Sequence, residues 1–376
     1  MSSSIKLLFS GDFAPLFPPD KIRNDHFSEI LDILSSANCH ITNLECALTD
    51  NNISIEKSGP AIKANVELVK LLEQAKVSIA CLANNHIFDY GEKGILDTIK
   101  ICENNHIETI GLVFRPDKKE NFLIKEFENK KVGFINYCEH EFSVREARML
   151  GANGYNSVNA FYDINNIRSK VDYLIVIYHG GNEYYSLPRP DIKKEFHYLI
   201  DLGADAVISH HTHVISGYEI YKNKPIVYGL GNFFFPYDNE PEEWNTGLLC
   251  SLELEDKIKV TLIPFSQNIN DLQIKKVSGK KLEEINRQIE HLSSIIQDEK
   301  ELNKYWIDFV NSKGNNLSKL FLFSSRIEKL LYKIPVFKSM LGIEKRSKII
   351  RNIIRCQSLQ QLLTENLKNK NDSRNS

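Results

Sequence analysis

The amino-acid pattern predicts an α/β protein in which short buried strands alternate with amphipathic helices. Three observations support this. Apolar strand-like runs alternate with helical patterns through the first 112 residues, three pairs of strand-like runs in the middle flank short polar turns, and only helical periodicity is evident after residue 270. Continuous apolar strands are typical of parallel sheets that are covered on both faces. We therefore expect a mixed arrangement of two sheets.

The first part of the chain provides the parallel strands and the helices that connect them. Strands are predicted at 5–10, 40–42, 77–82 and 108–112, and helices at 25–36, 65–75 and 91–104. Asn65 is suited to cap the second helix, because its side chain can accept a hydrogen bond from the first helical turn.

The middle of the chain adds hairpins and further parallel strands. The predicted hairpins pair 122–127 with 132–137, 218–221 with 225–228, and 248–254 with 258–264. Each pair flanks three or four polar residues, a spacing typical of a tight connection. The remaining elements are strand 171–178, helix 190–202 and strand 206–209.

The last hundred residues are predicted to be helical. Apolar residues at steps of three and four form one helix face, namely Leu282, Ile285, Ile289, Leu292 and Ile296. Further helical segments are predicted at 301–311, 317–331 and 345–367. We therefore expect a domain boundary near residue 270, with an α/β domain at 1–270 and a helical extension at 271–376.

The composition is that of a folded globular protein. Hydrophobic residues make up 42% and charged residues 26% of the chain, which excludes a disordered chain, a collagen and a disulfide scaffold. The seven cysteines are spread singly, which favours buried thiols in a reducing compartment over disulfides or zinc ligands. Because neither a signal-peptide core nor a run of about 18 apolar residues is evident, we expect a cytoplasmic protein without a transmembrane helix.

The formal charge of −2 conceals an uneven distribution. Residues 344–376 contain eight Lys and Arg against three acids, a net of +5, so the preceding residues carry −7. This acidic body argues against a nucleic-acid partner. The basic helix at 345–367 also has a broad apolar face. We favour packing of that face on neighbouring helices, and the alternative is peripheral contact with a membrane surface or an acidic polymer.

Polar side chains suited to metal binding follow five predicted strands. They are Asp12, Glu45, Asn84-Asn85-His86 with Asp89 nearby, His179, and the trio His210, His211 and His213. Sites form at the carboxyl ends of parallel strands, so we expect these side chains to converge. Taken singly, each has an ordinary alternative as a turn former, a surface acid or a packed histidine. Three histidines in four residues after an apolar strand favour a metal site.

The mixture of ligand types constrains the metal. Carboxylate and amide oxygens together with imidazoles suit Mn²⁺, Fe²⁺, Zn²⁺ or Co²⁺, and the number of candidates indicates two divalent ions. Two ions about 3.5–4 Å apart can share a carboxylate and lower the pKa of a bound water. The pattern therefore favours metal-dependent hydrolysis. The chain contains no Gly-x-Ser-x-Gly motif, so serine-hydrolase chemistry has no support.

Six segments occur in an order that resembles a known family. They are Gly11-Asp12, Asn43-Leu44-Glu45, Ala83-Asn84-Asn85-His86-x-x-Asp89-Tyr90-Gly91, His179-x-Gly-x-Glu183-Tyr184, His210-His211-x-His213, and Leu230-Gly231-Asn232-Phe233. Over about residues 5–265 the chain resembles the CapA family of poly-γ-glutamate capsule synthesis, which is similar to the calcineurin-like metallophosphoesterases. The resemblance implies a four-layer α/β/β/α sandwich with metal ligands on the loops, to which the helical pattern after residue 270 adds a C-terminal helical extension.

The resemblance also implies a role for each matching residue. Asp12 and His213 would hold one ion. Asn85, His179 and His211 would hold the other, and Glu45 would bridge the two. His86 would act beside the scissile bond as a general acid or charge stabiliser. The remaining matches would contact ligands or substrate, or have structural roles: Asn43, Asn84, Asp89, Glu183, His210 and Asn232.

Two functions follow from the resemblance. The first is a capsule-polymer biosynthesis protein with a dinuclear-metal hydrolase site that acts on a phosphoester, or on an amide of a γ-glutamyl polymer. The second is a non-catalytic accessory protein that binds an acidic polymer during its synthesis or export. Ala14 favours the second, because metallophosphoesterases usually place a histidine two residues after the first aspartate.

Overall fold

A computed structural model describes residues 4–57, 59–114, 121–144, 150–238 and 240–314, together with positions 347 and 350. The chain divides into two compact units, Met1–Asn303 and Lys304–Ser376. The helical segments predicted at 317–331 and 345–367 fall almost entirely outside the described residues.

In the part of the chain that the structure describes, eighteen strands form the framework of the first unit. In chain order they are β1 (Ile5–Phe13), β2 (Cys39–Leu44), β3 (Ala47–Leu48), β4 (Lys63–Ala64), β5 (Ile79–Cys81), β6 (Glu108–Ile110), β7 (Leu112–Phe114), β8 (Phe122–Phe127), β9 (Lys130–Cys138), β10 (Leu150–Ala152), β11 (Tyr173–His179), β12 (Ala206–His210), β13 (Tyr218–Tyr221), β14 (Lys224–Val227), β15 (Asn232–Phe234), β16 (Thr246–Leu254), β17 (Lys259–Asn268) and β18 (Gln273–Lys276).

The helices connect and cover these strands. They are α1 (Leu31–Ser35), α2 (Val69–Gln74), α3 (Gly91–Asn104), α4 (Ser157–Arg168), α5 (Pro190–Leu202), α6 (Gly279–Gln297) and α7 (Glu299–Phe309). Short 3₁₀ turns occur at Pro19–Lys21, Ser28–Ile30, Val66–Leu68 and Glu242–Asn245, and a π-helical turn at Val310–Gly314 follows α7. No helix among the described residues is both long and apolar enough to cross a bilayer.

Two large mixed sheets organise the first unit, as the sequence predicted. The first sheet has the order β18-β17-β16-β1-β2-β5-β6, with β15 also paired to β1. The second has the order β13-β14-β12-β11-β9-β8. The central strands β1, β2, β5 and β6 are parallel to one another, as are β9, β11, β12 and β14. All three predicted hairpins form, joining β8–β9, β13–β14 and β16–β17.

The two sheets pack face to face through their apolar side chains. One buried cluster joins Leu7 and Phe9 of β1 to Phe134 of β9 and Ile177 of β11. Side chains alternate along a strand, so the residues between these point to the opposite face of the first sheet. There Leu8 packs in a second cluster with α1, α2 and α3. Helices α4 and α5 bury apolar residues beside the second sheet. The result is the four-layer α/β/β/α sandwich expected from the resemblance.

The helix boundaries differ from the prediction in ways that local chemistry explains. Asn65 caps its helix as expected, since its side chain accepts a hydrogen bond from the Glu67 backbone, but the first turn is 3₁₀ rather than α.

Helix α4 was not predicted. Its apolar residues do not form one stripe, because Phe161 is exposed whereas Ile164 and Ile167 are buried.

The region after residue 270 is not purely helical. Strand β18 pairs with β17 at the edge of the first sheet, although no strand was predicted there. Helix α6 then packs on the body of the first unit, where Ile285 and Ile289 join the cluster between the sheets. Its fit is close, because the Gly217 Cα lies so near the α6 backbone that a Cβ there would be 2.5 Å from the Ser293 nitrogen. Both elements therefore belong to the first unit.

Candidate metal centre

The carboxyl ends of strands from both sheets meet at one edge of the sandwich. Asp12 lies in β1, in register with Asn43 of β2 and Asn232 of β15. Glu45 follows β2 directly, and His179 ends β11. All five side chains are buried. The convergence predicted from strand ends is therefore present in the structure.

The backbone approaches itself closely beneath Asp12. The Asp12 nitrogen donates to the Gly231 carbonyl oxygen over 3.1 Å. A Cβ atom on Gly11 would lie 1.9 Å from that same oxygen, far inside van der Waals contact. Glycine at position 11 therefore permits the contact between β1 and β15 that sets Asp12 beside Asn232.

We expect Gly11→Ala to destabilise the protein by about 3 kcal/mol, because the clash is with backbone that cannot rotate away. The matched control is Gly279→Ala, where φ is +58° but no atom lies within 4 Å of the added carbon. Left-handed strain alone costs about 1 kcal/mol. Denaturant unfolding of the two variants measures the difference, and equal losses would contradict the close-approach argument.

Two groups of side chains at this edge are arranged as metal ligands are. One contains Glu45, His179 and His211, and the other contains Asp12, Glu45 and His213, with the candidate ligand atoms of each group within 4.8 Å of one another. The Glu45 Oε1 lies 3.5 Å from the His179 Nε2 and 3.9 Å from the His213 Nε2. Glu45 is thus the residue that the two groups share.

Glu45 is fully buried, and no group in the described part of the chain donates a hydrogen bond to either of its carboxylate oxygens. Burial, and next the neighbouring carboxylates of Asp12, Glu183 and Glu141, raise the pKa of Glu45 well above its ordinary value. A buried carboxylate without a partner costs several kcal/mol, and protein interiors avoid it unless a cation compensates. The donor set around Glu45 therefore fits divalent metal ions.

Asp12 is held in its ionised form. Burial opposes this, but the hydrogen bond and positive charge of His213 hold the pKa of Asp12 well below its ordinary value. The Asn43 Nδ2 donates to the Asp12 Oδ1 over 2.8 Å, and the His211 backbone nitrogen donates to the Oδ2 over 3.1 Å. Asp12 is therefore fixed in orientation by residues from both sheets.

The imidazoles of the first group are neutral. Burial, followed by repulsion from neighbouring histidines, lowers the pKa of His179 well below its ordinary value and that of His211 to about 3. Neutral imidazole is the form that binds metal ions. The ring nitrogens face each other, because the His211 Nδ1 lies 3.1 Å from the His179 Nε2. That distance brings two ring nitrogens together beside the Glu45 carboxylate.

The loop after β12 holds its histidines in an uncommon backbone conformation. His211 has φ of 96° and His213 has φ of 58°. Positive φ is costly for residues other than glycine and is concentrated at functional sites. With this conformation, one imidazole of the loop belongs to each of the two groups of candidate ligands.

A buried, hydrogen-bonded chain of Lys57, Asp89 and His86 stands beside the two groups. Burial lowers the pKa of His86, and the hydrogen bond to the Asp89 carboxylate opposes this shift. The His86 Nδ1 lies 2.6 Å from the Asp89 Oδ2, and the Lys57 Nζ donates to the Asp89 Oδ1 over 2.6 Å. The Ile62 backbone nitrogen also donates to Asp89. Because Asp89 occupies the Nδ1 side of the ring, the His86 Nε2 is left for other contacts.

The other residues singled out from the sequence lie around the centre rather than in either group. Asn84 holds the turn before α3, since its Oδ1 accepts from the backbone nitrogens of His86 and Ile87. The His210 Nε2 lies 3.1 Å from the Ser10 carbonyl oxygen. Glu183 is exposed.

Three nearby side chains were not found from the sequence. Lys57 lies in an irregular segment whose pattern carries no signal of a site. Trp244 packs on His213 with ring centroids 4.4 Å apart, although the two are distant in sequence. Glu141 was within reach of the strand-end argument, because it follows β9, a parallel neighbour of β11.

The fold and this site define a class, namely a two-sheet α/β sandwich with a candidate divalent-metal centre at its strand ends. The family model described as "Bacterial capsule synthesis protein PGA_cap" matches residues 6–237. The chain therefore belongs to the PGA_cap family of bacterial capsule synthesis proteins.

Individual relatives agree with this assignment. The chain is similar to "Capsule biosynthesis protein CapA" of Bacillus anthracis, with 29% identity over 46% of this chain and 44% of that protein. It is also similar to "PGA biosynthesis protein CapA" of Bacillus subtilis, with 26% identity over 46% of this chain and 47% of that protein. The chain thus spans about half the length of these curated relatives.

Among solved structures, a hypothetical protein from Thermus thermophilus is similar to this chain. The two share 14% sequence identity, the match covers 70% of this chain and 100% of that one, and the TM-score is 0.45.

Proposed function

We propose that this capsule-synthesis family member is a hydrolase that uses two divalent metal ions, drawn from Mn²⁺, Fe²⁺, Zn²⁺ and Co²⁺. Its substrate in this proposal is a phosphoester, or an amide bond in an acidic γ-glutamyl polymer. The observation that carries the proposal is Glu45, a fully buried carboxylate that lacks a hydrogen-bond donor among the described residues and is shared by two groups of imidazoles.

In this proposal each ion has its own ligand set. Asp12 and His213 hold one ion, Asn85, His179 and His211 hold the other, and Glu45 bridges both. Asn85 is included because its Oδ1 lies 3.0 Å from the His179 Nε2. When bound, such an ion pair activates water and stabilises negative charge on the reacting group.

The charge of the site supports the binding of divalent cations. The carboxylates of Asp12, Glu183 and Glu141 each raise the pKa of Glu45, so four carboxylates lie in the same region. The surrounding histidines of the first group are neutral, so they do not balance this charge. The positive charge of His213 offsets one carboxylate, and the remaining negative charge favours divalent cations at this site.

His86 is the proposed catalytic residue of the chain. Asp89 holds its Nδ1, so the Nε2 can carry or release a proton beside the scissile bond, and the buried Asp89 carboxylate stabilises the imidazolium form. Lys57 and the Ile62 backbone nitrogen keep Asp89 in place. The chain's own residues thus supply orientation and proton handling.

The second candidate function is a non-catalytic protein that binds an acidic polymer during its synthesis or export. Ala14 favours it, because this side chain is buried in the apolar cluster and offers no ligand two residues after Asp12. The ion held by Asp12, Glu45 and His213 then has three protein ligands, and weak retention of this ion would leave the site unable to react.

Metal content and chelator-sensitive hydrolysis distinguish the two functions. We expect purified protein to contain about two ions per chain and to hydrolyse a bis-aryl phosphate or a γ-glutamyl anilide. Chelation and His179→Ala should remove both properties, whereas His291→Ala on the exposed face of α6 should remove neither. Protein without metal that binds anionic polymer would favour the accessory function. Hydrolysis that persists in chelator would contradict the metal-dependent mechanism.

A further inference from the structure

Most of the proposed ligands have a partner that fixes their orientation. The Asn43 Nδ2 donates to the Asp12 Oδ1 over 2.8 Å, and the His213 Nδ1 lies 2.9 Å from the Asn232 Oδ1, an acceptor that keeps the ring proton on Nδ1. Such partners select which ring nitrogen faces a metal ion, and their loss commonly weakens metal binding. The ring of His211 lies at the same edge. Its Nδ1 faces another histidine, so a partner that orients this ring has to contact its Nε2.

Glu141 lies where a partner for His211 is needed. Its Oε1 is 3.6 Å from the His211 Nε2, while the opposite ring nitrogen, Nδ1, faces His179 at 3.1 Å. The distance of 3.6 Å is slightly longer than a hydrogen bond, so the two groups are neighbours across this side of the ring. Glu141 thus stands on the side of the His211 ring that faces away from the centre.

The same carboxylate also holds Asn85. Burial and the neighbouring Glu139 carboxylate raise the pKa of Glu141, and the Asn85 side chain opposes this shift by hydrogen bonding to the Glu141 carboxylate. Only the Nδ2 of an asparagine side chain can donate, so this bond leaves the Oδ1 to face His179, from which it lies 3.0 Å away. Glu141 therefore contacts two ligands of one proposed ion.

A carboxylate is the group that suits both contacts at once. The Asn85 amide and the His211 Nε2–H are both donors, and an ionised carboxylate accepts from both. A glutamine of the same shape is uncharged and has one acceptor oxygen instead of two, so it would be the weaker partner for the two donors. Glu141→Gln therefore tests the acceptor function of Glu141 without changing the size of its side chain.

We propose that Glu141 is a positioning residue that orients His211 and Asn85, and that it sets the affinity of one metal ion and not of the other. The inference rests on the proposed dinuclear centre. Asp12 and His213, which hold the other ion in that proposal, are oriented by Asn43 and Asn232 instead.

The test is a Mn²⁺ titration of metal-stripped protein, followed by calorimetry and by electron paramagnetic resonance. We expect Glu141→Gln to weaken one of the two sites by about 10–100-fold and to leave the other within about threefold of wild type. The paramagnetic resonance signal of the spin-coupled ion pair should then appear only at a correspondingly higher Mn²⁺ concentration.

Glu183→Gln is the matched control for charge. Glu183 is exposed, and its carboxylate raises the pKa of Glu45, as the carboxylate of Glu141 also does. If charge alone determined the affinity, the two variants would weaken binding equally. We expect the loss in Glu183→Gln to be smaller than in Glu141→Gln and to be spread over both sites.

The outcomes separate this inference from the proposed function. Wild-type protein that binds no Mn²⁺ would overturn both. Wild-type protein with two sites, together with a Glu141→Gln variant in which both sites are unchanged, would overturn the positioning role alone. Thermal unfolding in chelator checks that the variant is folded. Glu141→Ala, which should show at least the same selective loss, provides a second variant in case Glu141→Gln is unfolded.

Discussion

Replacing Glu45 by glutamine is expected to lower hydrolysis by about 1,000-fold or more, and yet to make the metal-stripped protein more stable. The loss follows because Glu45 is the residue common to both groups of candidate ligands. Metal ions contribute several kcal/mol of transition-state stabilisation, and about 4 kcal/mol corresponds to 1,000-fold in rate.

The gain in stability without metal has a separate cause. In the metal-stripped protein the buried Glu45 carboxylate receives no hydrogen bond from the described part of the chain, which is a cost to folding. An amide of the same shape removes the charge, and we expect it to stabilise the stripped protein by about 2 kcal/mol. With excess metal the order reverses, because ions that bind only the folded wild type stabilise it by about 2.7 kcal/mol at 100 times their dissociation constant.

The pH dependence of the stripped protein gives an independent check. The pKa of Glu45 is raised in the folded state, so the folded protein binds more protons than the unfolded chain. Stability therefore falls as pH rises above the ordinary glutamate pKa, until the raised pKa is passed. The advantage of Glu45→Gln over wild type should accordingly increase as the pH is raised from about 4.5, the range in which an unfolded glutamate ionises.

Thermal unfolding with and without metal, over a range of pH, measures these effects. Glu126→Gln is the control, because Glu126 is an exposed carboxylate on β8. Glu126→Gln should change neither the stability of the protein with or without metal nor the pH dependence of that stability. A Glu45→Gln variant that is less stable than wild type in chelator would contradict the account of Glu45 as an uncompensated charge.

Replacing His86 by alanine is expected to lower kcat by about 100- to 10,000-fold while both metal ions are retained, because general acid–base catalysis contributes that much. His86 belongs to neither group of candidate ligands, and its Nδ1 is already held by Asp89. The variant should therefore separate proton handling from metal binding.

Steady-state kinetics together with metal analysis check this prediction. His106→Ala is the control, since His106 lies in the turn after α3 and contributes to neither group. Asp89→Asn should lower kcat less than His86→Ala, because the ring remains but loses the carboxylate that stabilises its charged form. An unchanged kcat in His86→Ala, or a loss of metal from it, would show that His86 has a different role.

Much of the fold followed from local patterns in the sequence. The apolar runs at 5–10, 40–42 and 171–178 predicted β1, β2 and β11, because a strand that is buried on both faces is apolar throughout. Strand β18 and helix α4 were missed, since β18 is short and polar and α4 exposes part of its apolar surface. Such elements form where packing partners exist, and those partners are far away in the sequence.

The sequence by itself determined the α/β class, the family and the chemistry of the strand ends, because strand periodicity and ligand type are local properties. The tertiary structure alone decided which atoms face each other. It placed Glu45 between two groups of histidines, set Lys57 behind Asp89, and brought Glu141 to His211. These contacts join residues that are 32 or more positions apart. No short-range pattern encodes them, because they depend on how two sheets and their loops pack together.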